Sequence, residues 1–180
     1  MEEPEPALIR AAAAGDRAAF EQLVRAYQQQ VWRFLRRLLG NDALAEDVTQ
    51  ETFLRVYRRL SGFSFQSKFS TWVFQIARNA GIDEVRSQER RARLAGQTPQ
   101  PTPPACPPET RAEIQAALAS LPVDLRETVL LVEVLGLRYR EVATVLGVAV
   151  GTVKRRMFNA RSQLYRWSTA DQEARTTGEM

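Results

Sequence analysis

The chain has 180 residues, of which 44% are hydrophobic, and carries a net charge of +4 with an isoelectric point near 9.7. This length allows one medium domain or two small ones, and the mild positive charge permits nucleic-acid binding without requiring it. Because the chain has no histidine and only one cysteine, Cys106, we expect no histidine-based catalysis, no zinc site, no cofactor and no enzymatic activity.

The sequence shows neither a secretion signal nor a membrane-spanning segment. No stretch approaches the ~18 consecutive apolar residues of a membrane span, and the first residues lack the basic start and apolar core of a secretion signal. Cys106 has no disulfide partner in the chain, which suits a reducing compartment. We therefore expect a cytoplasmic protein, with a disordered N-terminus over residues 1–6, which are acidic and contain prolines.

The first predicted elements are helices. A short helix is predicted over residues 7–14, ended by Gly15. Asp16 is typical of an N-cap and opens a longer helix to Leu39, in which apolar residues recur at three- and four-residue steps. Gly40 and the polar residues after it predict a break.

A third helix is predicted over residues 43–60, and its N-terminal end is acidic. Asp47, Gln50 and Glu51 lie off its apolar stripe, where acidic groups suit the helix dipole. From spacing alone, solvated surface is the favoured interpretation of these three side chains.

Residues 63–79 are rich in aromatic side chains, with five of them within twelve residues. Three phenylalanines precede the expected N-cap of the next helix, Ser70 or Thr71, so a loop is predicted to hold them; the helix is predicted to reach about Arg91. Loop aromatics beside a cation such as Lys68 can stack on unpaired bases, each stack contributing about 1–3 kcal/mol in single-strand binders. An aromatic cluster that pins the loop to its domain fits these residues at least as well.

Residues 94–108 contain six prolines and no charged side chain. Such a composition favours a semi-extended spacer that reaches ~3.1 Å per residue when fully extended. We therefore predict an all-α protein with two small helical domains, over residues 7–92 and 109–168, joined by a flexible linker over residues 93–108. A polar tail over residues 169–180 has no assigned role.

The second domain carries nearly all of the net charge, with eight cations against four acids between residues 121 and 168. Helices are predicted over residues 109–120 and 123–135. The sequence from Tyr139 to Leu164 then has a helix-turn-helix pattern, with Gly147 at the turn. Apolar positions within a narrow arc predict the buried face of its second helix: Val153, Met157, Ala160 and Leu164.

The opposite face of this second helix carries arginines, hydroxyls and an aromatic ring: Thr152, Arg155, Phe158, Asn159 and Ser162, flanked by Lys154 and Arg156. Such a helix fits a major groove, where arginine can read guanine edges and backbone amides can hold phosphate. Because the buried stripe and the turn point to the same geometry independently, we favour DNA binding over a merely solvated face.

Two motifs in the first domain resemble conserved region 2 of the extracytoplasmic-function (ECF, group 4) sigma factors of the sigma-70 family: Asp47-x-x-Gln50-Glu51-Thr52-Phe53, and Phe69-Ser70-Thr71-Trp72 followed by Ile76-Ala77-Arg78-Asn79. The helix-turn-helix resembles region 4 of the same family, so the resemblance covers roughly residues 7–167. It implies a protein that binds core RNA polymerase and directs promoter-specific transcription initiation. It would read the minus-35 element as duplex DNA and melt the minus-10 element.

The resemblance also implies site residues by position. Core polymerase would bind Asp47, Gln50 and Glu51. A flipped minus-10 base would be captured by Asn79, with residues 64–70 as the pocket wall. The other implied minus-10 residues are Phe65, Lys68, Trp72 and Arg78. The implied minus-35 residues are Lys154, Arg155, Arg156 and Phe158, with phosphate contacts from Thr152 and Arg161.

As a further partner, the resemblance implies a cognate anti-sigma factor, often membrane-bound, which a stress signal would release. Such a factor could hold the protein at the membrane. The alternative is a stand-alone dimeric helix-turn-helix regulator, which would bind palindromic duplex DNA with half-sites about one helical turn apart. No heptad seam or evident dimer helix in the sequence supports that alternative.

Overall fold

The computed structural model describes residues 2–94 and 109–178, with residues 109–111 and 170–178 described as backbone only. Over these two ranges the chain forms eight α-helices and no strand, which confirms the all-α prediction. The predicted linker lies outside the described residues, apart from its first two positions. No helix in the described part of the chain is long and apolar enough to cross a membrane.

Four helices precede the gap and four follow it. The first four are α1 (Pro6–Ala13), α2 (Arg17–Leu39), α3 (Asp42–Arg59) and α4 (Phe69–Leu94). The others are α5 (Glu109–Ser120), α6 (Val123–Val129), α7 (Tyr139–Leu146) and α8 (Val150–Gly178). A 3₁₀ turn, Leu60–Gly62, follows α3, and a π-helical turn, Leu130–Val134, follows α6.

The boundaries of α2 follow from local chemistry. The Asp16 carboxylate accepts hydrogen bonds from the backbone N–H groups of Ala18 and Ala19, at 2.9 and 3.1 Å, as an N-cap does. At the other end Gly40 has a φ of 71°, in the left-handed region that glycine adopts at low cost. The predicted cap at Asp16 and the predicted break at Gly40 are therefore confirmed.

Helix α4 begins earlier than predicted, at Phe69 rather than after an N-cap at Ser70 or Thr71. The Phe69 ring is buried and meets the Tyr27 ring edge-on, with 5.6 Å between centroids. The backbone N–H groups of Phe69 and Ser70 donate to the carboxylate of Glu3, at 2.9 and 3.4 Å. Because this cap comes from a distant part of the sequence, no local signal marks the true start of α4.

The N-terminal segment also differs from the prediction of disorder over residues 1–6. Pro6 is already the first residue of α1, and Ile9 of that helix is buried. The Tyr27 hydroxyl donates to the backbone oxygen of Glu2 at 3.1 Å. Residues 2–5 therefore pack on the first domain.

The C-terminal half has two features that the sequence did not predict. Helix α6 ends at Val129 and continues as the π-helical turn, in which the backbone N–H of Leu135 donates to the oxygen of Leu130 at 3.2 Å. Helix α8 continues to Gly178, through much of the segment predicted as a polar tail.

The core of the first domain lies where α2 and α4 cross closely. The Phe34 and Phe74 rings are buried and meet edge-on, with centroids 6.2 Å apart. A Cβ atom placed on Gly81 of α4 would lie 2.8 Å from the Leu38 side chain and 2.9 Å from the Leu35 side chain. Glycine at position 81 therefore allows the two helices to approach.

The two halves of the chain pack directly against each other. At the C-terminal end of α2, the Arg37 oxygen accepts a hydrogen bond from Gln115 Nε2 at 3.2 Å, and the Leu38 oxygen accepts one from Arg126 Nη1 at 3.1 Å. A cation suits this position because the last carbonyls of a helix carry partial negative charge. Burial lowers the pKa of the Arg126 guanidinium. We call this packing of the two halves the closed arrangement.

Candidate polymerase and nucleic-acid interfaces

The three predicted polymerase-binding residues lie on one face of α3, because they are three and four positions apart. Asp47 and Gln50 are exposed, and Glu51 is half-buried. Arg55 Nε donates to Glu51 at 2.9 Å, and its Nη1 donates to Asp83 of α4 at 3.4 Å. The bond with Glu51 raises the pKa of the Arg55 guanidinium. The face therefore presents the exposed carboxylate of Asp47 and the exposed amide of Gln50 beside the Glu51 carboxylate, which is paired with Arg55.

The loop between α3 and α4 is held by an aromatic cluster. The Phe63 ring lies 4.8 Å from Phe65, 5.6 Å from Phe69 and 5.1 Å from Trp72, measured between centroids. Such offset and edge-on pairs stabilise a fold beyond simple burial. For Phe63 and Phe69 the structure fits the interpretation of a cluster that pins the loop to its domain.

Phe65 behaves differently from its neighbours in the cluster. Its ring is 43% exposed, and its φ of 57° is left-handed. A bulky side chain in this region costs about 1–3 kcal/mol, which the surrounding structure must offset. The Arg10 guanidinium lies over its ring, 5.2 Å from the centroid. The exposed ring of Phe65 is accessible for stacking, unlike the buried Phe69 ring. No local pattern in the sequence links Arg10 to this loop.

The predicted minus-10 cations point toward the second domain. Arg78 donates to Glu127 twice, from Nε at 2.7 Å and from Nη2 at 3.0 Å. Lys68 Nζ lies 2.6 Å from Glu141 Oε1. Asn79 is exposed on α4, and its side-chain oxygen accepts a hydrogen bond from Arg78 Nη1 at 3.2 Å. In the closed arrangement both cations are thus paired with carboxylates, while Asn79 stays accessible.

Glu127 also binds a cation of its own domain. It is 1% exposed, and Arg156 of α8 lies 3.4 Å from its carboxylate and 3.4 Å from that of Asp124. A buried carboxylate is tolerated only with such partners. Arg156, which was predicted to flank the outward face of α8 and to contact the minus-35 element, is accordingly half-buried and turned toward these carboxylates.

The helix-turn-helix has the predicted form. Gly147 ends α7 with a φ of 66°, again left-handed. The predicted inward stripe of α8 is confirmed at Val153, Met157 and Ala160, which are buried. The outward face leaves several predicted DNA contacts exposed: Lys154, Arg155, Phe158 and Arg161.

Of the predicted phosphate contacts, Arg161 is exposed but paired, and Thr152 is partly covered. Arg161 Nη2 donates to Glu133 at 2.9 Å across the domain surface, and Thr152 is half-buried. The Phe158 ring, by contrast, is 73% exposed. An exposed ring beside Lys154 and Arg155 gives α8 both apolar and cationic groups for a base edge and its phosphates.

Comparison with known proteins assigns both halves of the chain to one family. Sigma-70 region 2 matches residues 23–91, and Sigma-70, region 4 matches residues 111–164. The ECF RNA polymerase sigma factor SigC of Mycobacterium tuberculosis is 38% identical over 163 residues, which cover 88% of this chain and 88% of that protein. SigE of Mycolicibacterium smegmatis, also an ECF sigma factor, is 37% identical over 164 residues; these cover 84% of this chain but only 63% of that protein.

Solved structures agree with this assignment. CnrH, in complex with the cytosolic domain of CnrY, has a TM-score of 0.74 and 29% identity, covering 92% of this chain and 97% of that one. The sigma factor RpoE of Bartonella quintana, in complex with the anti-sigma factor NepR, has a TM-score of 0.71 and 25% identity, covering 84% and 98%.

Together with the helix-turn-helix and its exposed cationic face, these similarities place the chain in the class of DNA-binding transcription initiation factors. The chain belongs to the sigma-70 family and, within it, to the ECF RNA polymerase sigma factors, which direct transcription initiation. The stand-alone dimeric regulator is not favoured, because the similarity to ECF sigma factors extends over both domains.

Proposed function

We propose that this chain binds core RNA polymerase through the face of α3 that carries Asp47, Gln50 and Glu51. Two of these side chains are exposed, and none of the three is needed for the apolar core. The polymerase supplies the chemistry of RNA synthesis, and the chain supplies promoter recognition. A protein with this role acts in the cytoplasm, where the polymerase transcribes.

The minus-35 element is read as duplex DNA by α8. The observation that carries this proposal is the division of α8 into a buried stripe and an outward face with Lys154, Arg155 and Phe158. Arginine can form a bidentate contact with guanine in the major groove, at about 1–3 kcal/mol of discrimination. Thr152 and Arg161 would hold phosphates, for which Arg161 would have to leave Glu133.

The minus-10 element is melted by the first domain. Asn79 captures one unpaired base, and Phe65 and Trp72 of the aromatic cluster provide stacking surface for the unpaired strand. Flipping a base costs a few kcal/mol, and stacking returns about 1–3 kcal/mol per base. Lys68 and Arg78 would then exchange their carboxylate partners for the charged DNA backbone.

An anti-sigma factor is the second partner that we propose. RpoE was solved in complex with the anti-sigma factor NepR, and the similarity to RpoE covers 84% of this chain. CnrH, whose similarity covers 92% of this chain, was solved in complex with the cytosolic domain of CnrY. We infer that a cognate anti-sigma factor binds this chain in the closed arrangement, in which Lys68 and Arg78 are already occupied.

Gel filtration with purified core polymerase tests the first step. We expect co-elution of the chain, and loss of co-elution in Asp47→Arg. Glu21→Arg is the matched control, because Glu21 is also an exposed acid but lies on α2 and not on the proposed face of α3. A wild-type chain that neither co-elutes nor supports run-off transcription from a randomised promoter library would refute the proposal.

Promoter melting has its own test in Asn79→Ala. This variant should co-elute with the polymerase and yet lose permanganate reactivity of thymines in the minus-10 element. Ser87→Ala, two helical turns further along α4, should leave reactivity unchanged. A normal permanganate footprint in Asn79→Ala would remove Asn79 from the proposed pocket.

A further inference from the structure

The N-terminal segment, residues 2–10, packs against the loop that carries Phe65 and precedes the Sigma-70 region 2 match, which starts at residue 23. Glu3 is half-buried, and its carboxylate accepts from the backbone N–H of Phe69 at 2.9 Å and of Ser70 at 3.4 Å. The Ser70 hydroxyl also donates to it. Glu3 is therefore bound to the first turn of α4 through three donors.

Helix α4 needs this cap because its own sequence does not supply one. The Lys68 oxygen accepts the first helical hydrogen bond, from Trp72 N–H at 3.1 Å, so Lys68 occupies the N-cap position. A lysine side chain has no acceptor and places a positive charge at the positive end of the helix dipole. Because Phe69 and Ser70 are buried, water cannot reach their N–H groups easily. A carboxylate from elsewhere in the chain satisfies them.

A second contact from the same segment reaches the other end of the loop. The Arg10 guanidinium lies 5.2 Å from the centroid of the Phe65 ring, within the range of a cation–π interaction. Phe65 has a left-handed φ of 57°, which must be maintained by its surroundings. Glu3 and Arg10 thus hold the start of α4 and the exposed ring of the loop, respectively.

We propose that Glu3 and Arg10 are positioning residues for the minus-10 reading loop, residues 63–69. They fix the conformation in which the Phe65 ring is presented to the unpaired strand. This inference rests on the proposed function of that loop. The opposite role for Glu3, a carboxylate that occupies a phosphate site and that DNA must displace, is less consistent with the burial of Phe69 and Ser70.

The Glu3→Ala variant tests the cap, with Glu2→Ala and Glu5→Ala as matched controls that lose the same charge from the same segment. Glu2 contributes only its backbone oxygen to Tyr27, and Glu5 makes no side-chain cap. With holoenzyme and a promoter selected from the randomised library, permanganate reactivity of the minus-10 thymines should fall roughly 2- to 30-fold in Glu3→Ala, the range that a lost N-cap implies. In Glu3→Gln, which keeps an acceptor oxygen, the permanganate reactivity should fall less.

Polymerase co-elution and binding of a minus-35 duplex should remain unchanged in all of these variants. Equal melting in Glu3→Ala, Glu2→Ala and Glu5→Ala would overturn the positioning role. Stronger melting in Glu3→Ala alone would also overturn it, in favour of the displaced carboxylate.

Arg10 is tested by Arg10→Lys, which keeps the charge but loses the planar group that stacks on Phe65. Both Arg10→Lys and Arg10→Ala should reduce minus-10 melting, whereas Arg17→Ala, which removes an exposed arginine from the start of α2, should not. Full melting in Arg10→Lys would mean that charge alone acts, and would overturn the stacking role.

Hydrogen exchange separates this inference from the proposed function. In Glu3→Ala the exchange rates of the Phe69 and Ser70 amides should rise roughly 2- to 30-fold, which corresponds to the free energy of a lost cap. In the two control variants these rates should be unchanged. This readout needs neither polymerase nor promoter. If wild-type chain failed to melt any promoter, the proposed function would fail while the exchange result still decided whether Glu3 holds the loop.

Discussion

Arg78 of α4 and Glu127 of α6 are joined by two hydrogen bonds, at 2.7 and 3.0 Å, across the boundary between the two domains. Glu127 is almost fully buried, and removing the cation partner of a buried carboxylate destabilises the folded protein by several kcal/mol. Arg78 is also proposed to face the minus-10 strand. The same guanidinium cannot serve both partners, so promoter binding and the closed arrangement compete at this residue.

Glu127→Gln should therefore loosen the closed arrangement. The amide keeps a hydrogen-bond acceptor but loses the charge that holds Arg78 and Arg156. We expect a larger radius of gyration in small-angle X-ray scattering and tighter binding of promoter DNA by the free chain. The matched control is Glu133→Gln, because the Glu133–Arg161 pair lies within the second domain. An unchanged radius of gyration in Glu127→Gln would show that this pair does not hold the domains together.

Local chemistry made much of the fold predictable from the sequence. The cap at Asp16, the left-handed glycines at positions 40 and 147, and the buried stripe of α8 each depend on neighbours within a few positions along the chain. Such short-range signals are visible in a sequence because the interacting groups are close in it.

The features that the sequence did not predict depend on distant partners. The start of α4 is set by Glu3, 66 positions away from Phe69, and the inward position of Arg156 is set by Glu127 on another helix. The spacing of residues along α8 could place Arg156 beside the DNA-facing side of the helix. It could not show that the buried carboxylate of Glu127 lies next to Arg156. The closed arrangement likewise depends on packing between the two halves of the chain, which no local pattern encodes.

Gly81 offers a test of the close crossing of α2 and α4. In Gly81→Ala the new methyl group would meet the side chains of Leu35 and Leu38 below 3.0 Å. Overpacking costs about 1–3 kcal/mol, partly offset by a gain of about 1 kcal/mol in helix propensity, so we expect a net loss of about 1 kcal/mol in the free energy of unfolding. In Gly151→Ala, where nothing lies within 4 Å of the new methyl group, the free energy of unfolding measured with urea should instead increase by about 0.5–1 kcal/mol. An equal gain in both variants would contradict the tight crossing.

Tyr27 makes the stability of the first domain sensitive to alkaline pH. Burial, together with the nearby charge of Glu3, raises the pKa of its phenol above the ordinary value near 10. Because the unfolded chain then loses the proton first, this contribution to stability is complete below pH 10 and is lost as the pH rises toward the folded-state pKa.

The measurement is urea unfolding between pH 8 and pH 11. The Tyr27→Phe variant should lose about 1 kcal/mol at pH 8, since its hydrogen bond to Glu2 is gone, and should decline less steeply than wild type above pH 10. Tyr165→Phe is the control, because the Tyr165 ring is exposed and should leave the pH profile unchanged. Identical profiles for wild type and Tyr27→Phe would exclude the buried phenol as their cause.

Arg155 and Arg156 are adjacent in α8 but should give opposite phenotypes. Arg155 is exposed on the proposed reading face, whereas Arg156 is half-buried, 3.4 Å from both Asp124 and Glu127. In fluorescence anisotropy, Arg155→Ala should weaken binding of the minus-35 duplex by about 1–3 kcal/mol and leave urea unfolding unchanged. Arg156→Ala should lower the free energy of unfolding, because it removes one of the cations that compensate buried Glu127.

Salt dependence distinguishes a base contact from a phosphate contact at Arg155. If Arg155 reads a guanine edge, Arg155→Ala should relax the preference for the wild-type base at one promoter position, while the slope of log affinity against log salt changes little. A phosphate contact would instead reduce that slope by about 0.9 and weaken all sequences alike. Lys154→Ala provides the comparison, since lysine acts on phosphate as a point charge. Loss of duplex binding in Arg156→Ala without loss of stability would reverse the assignment of the two arginines.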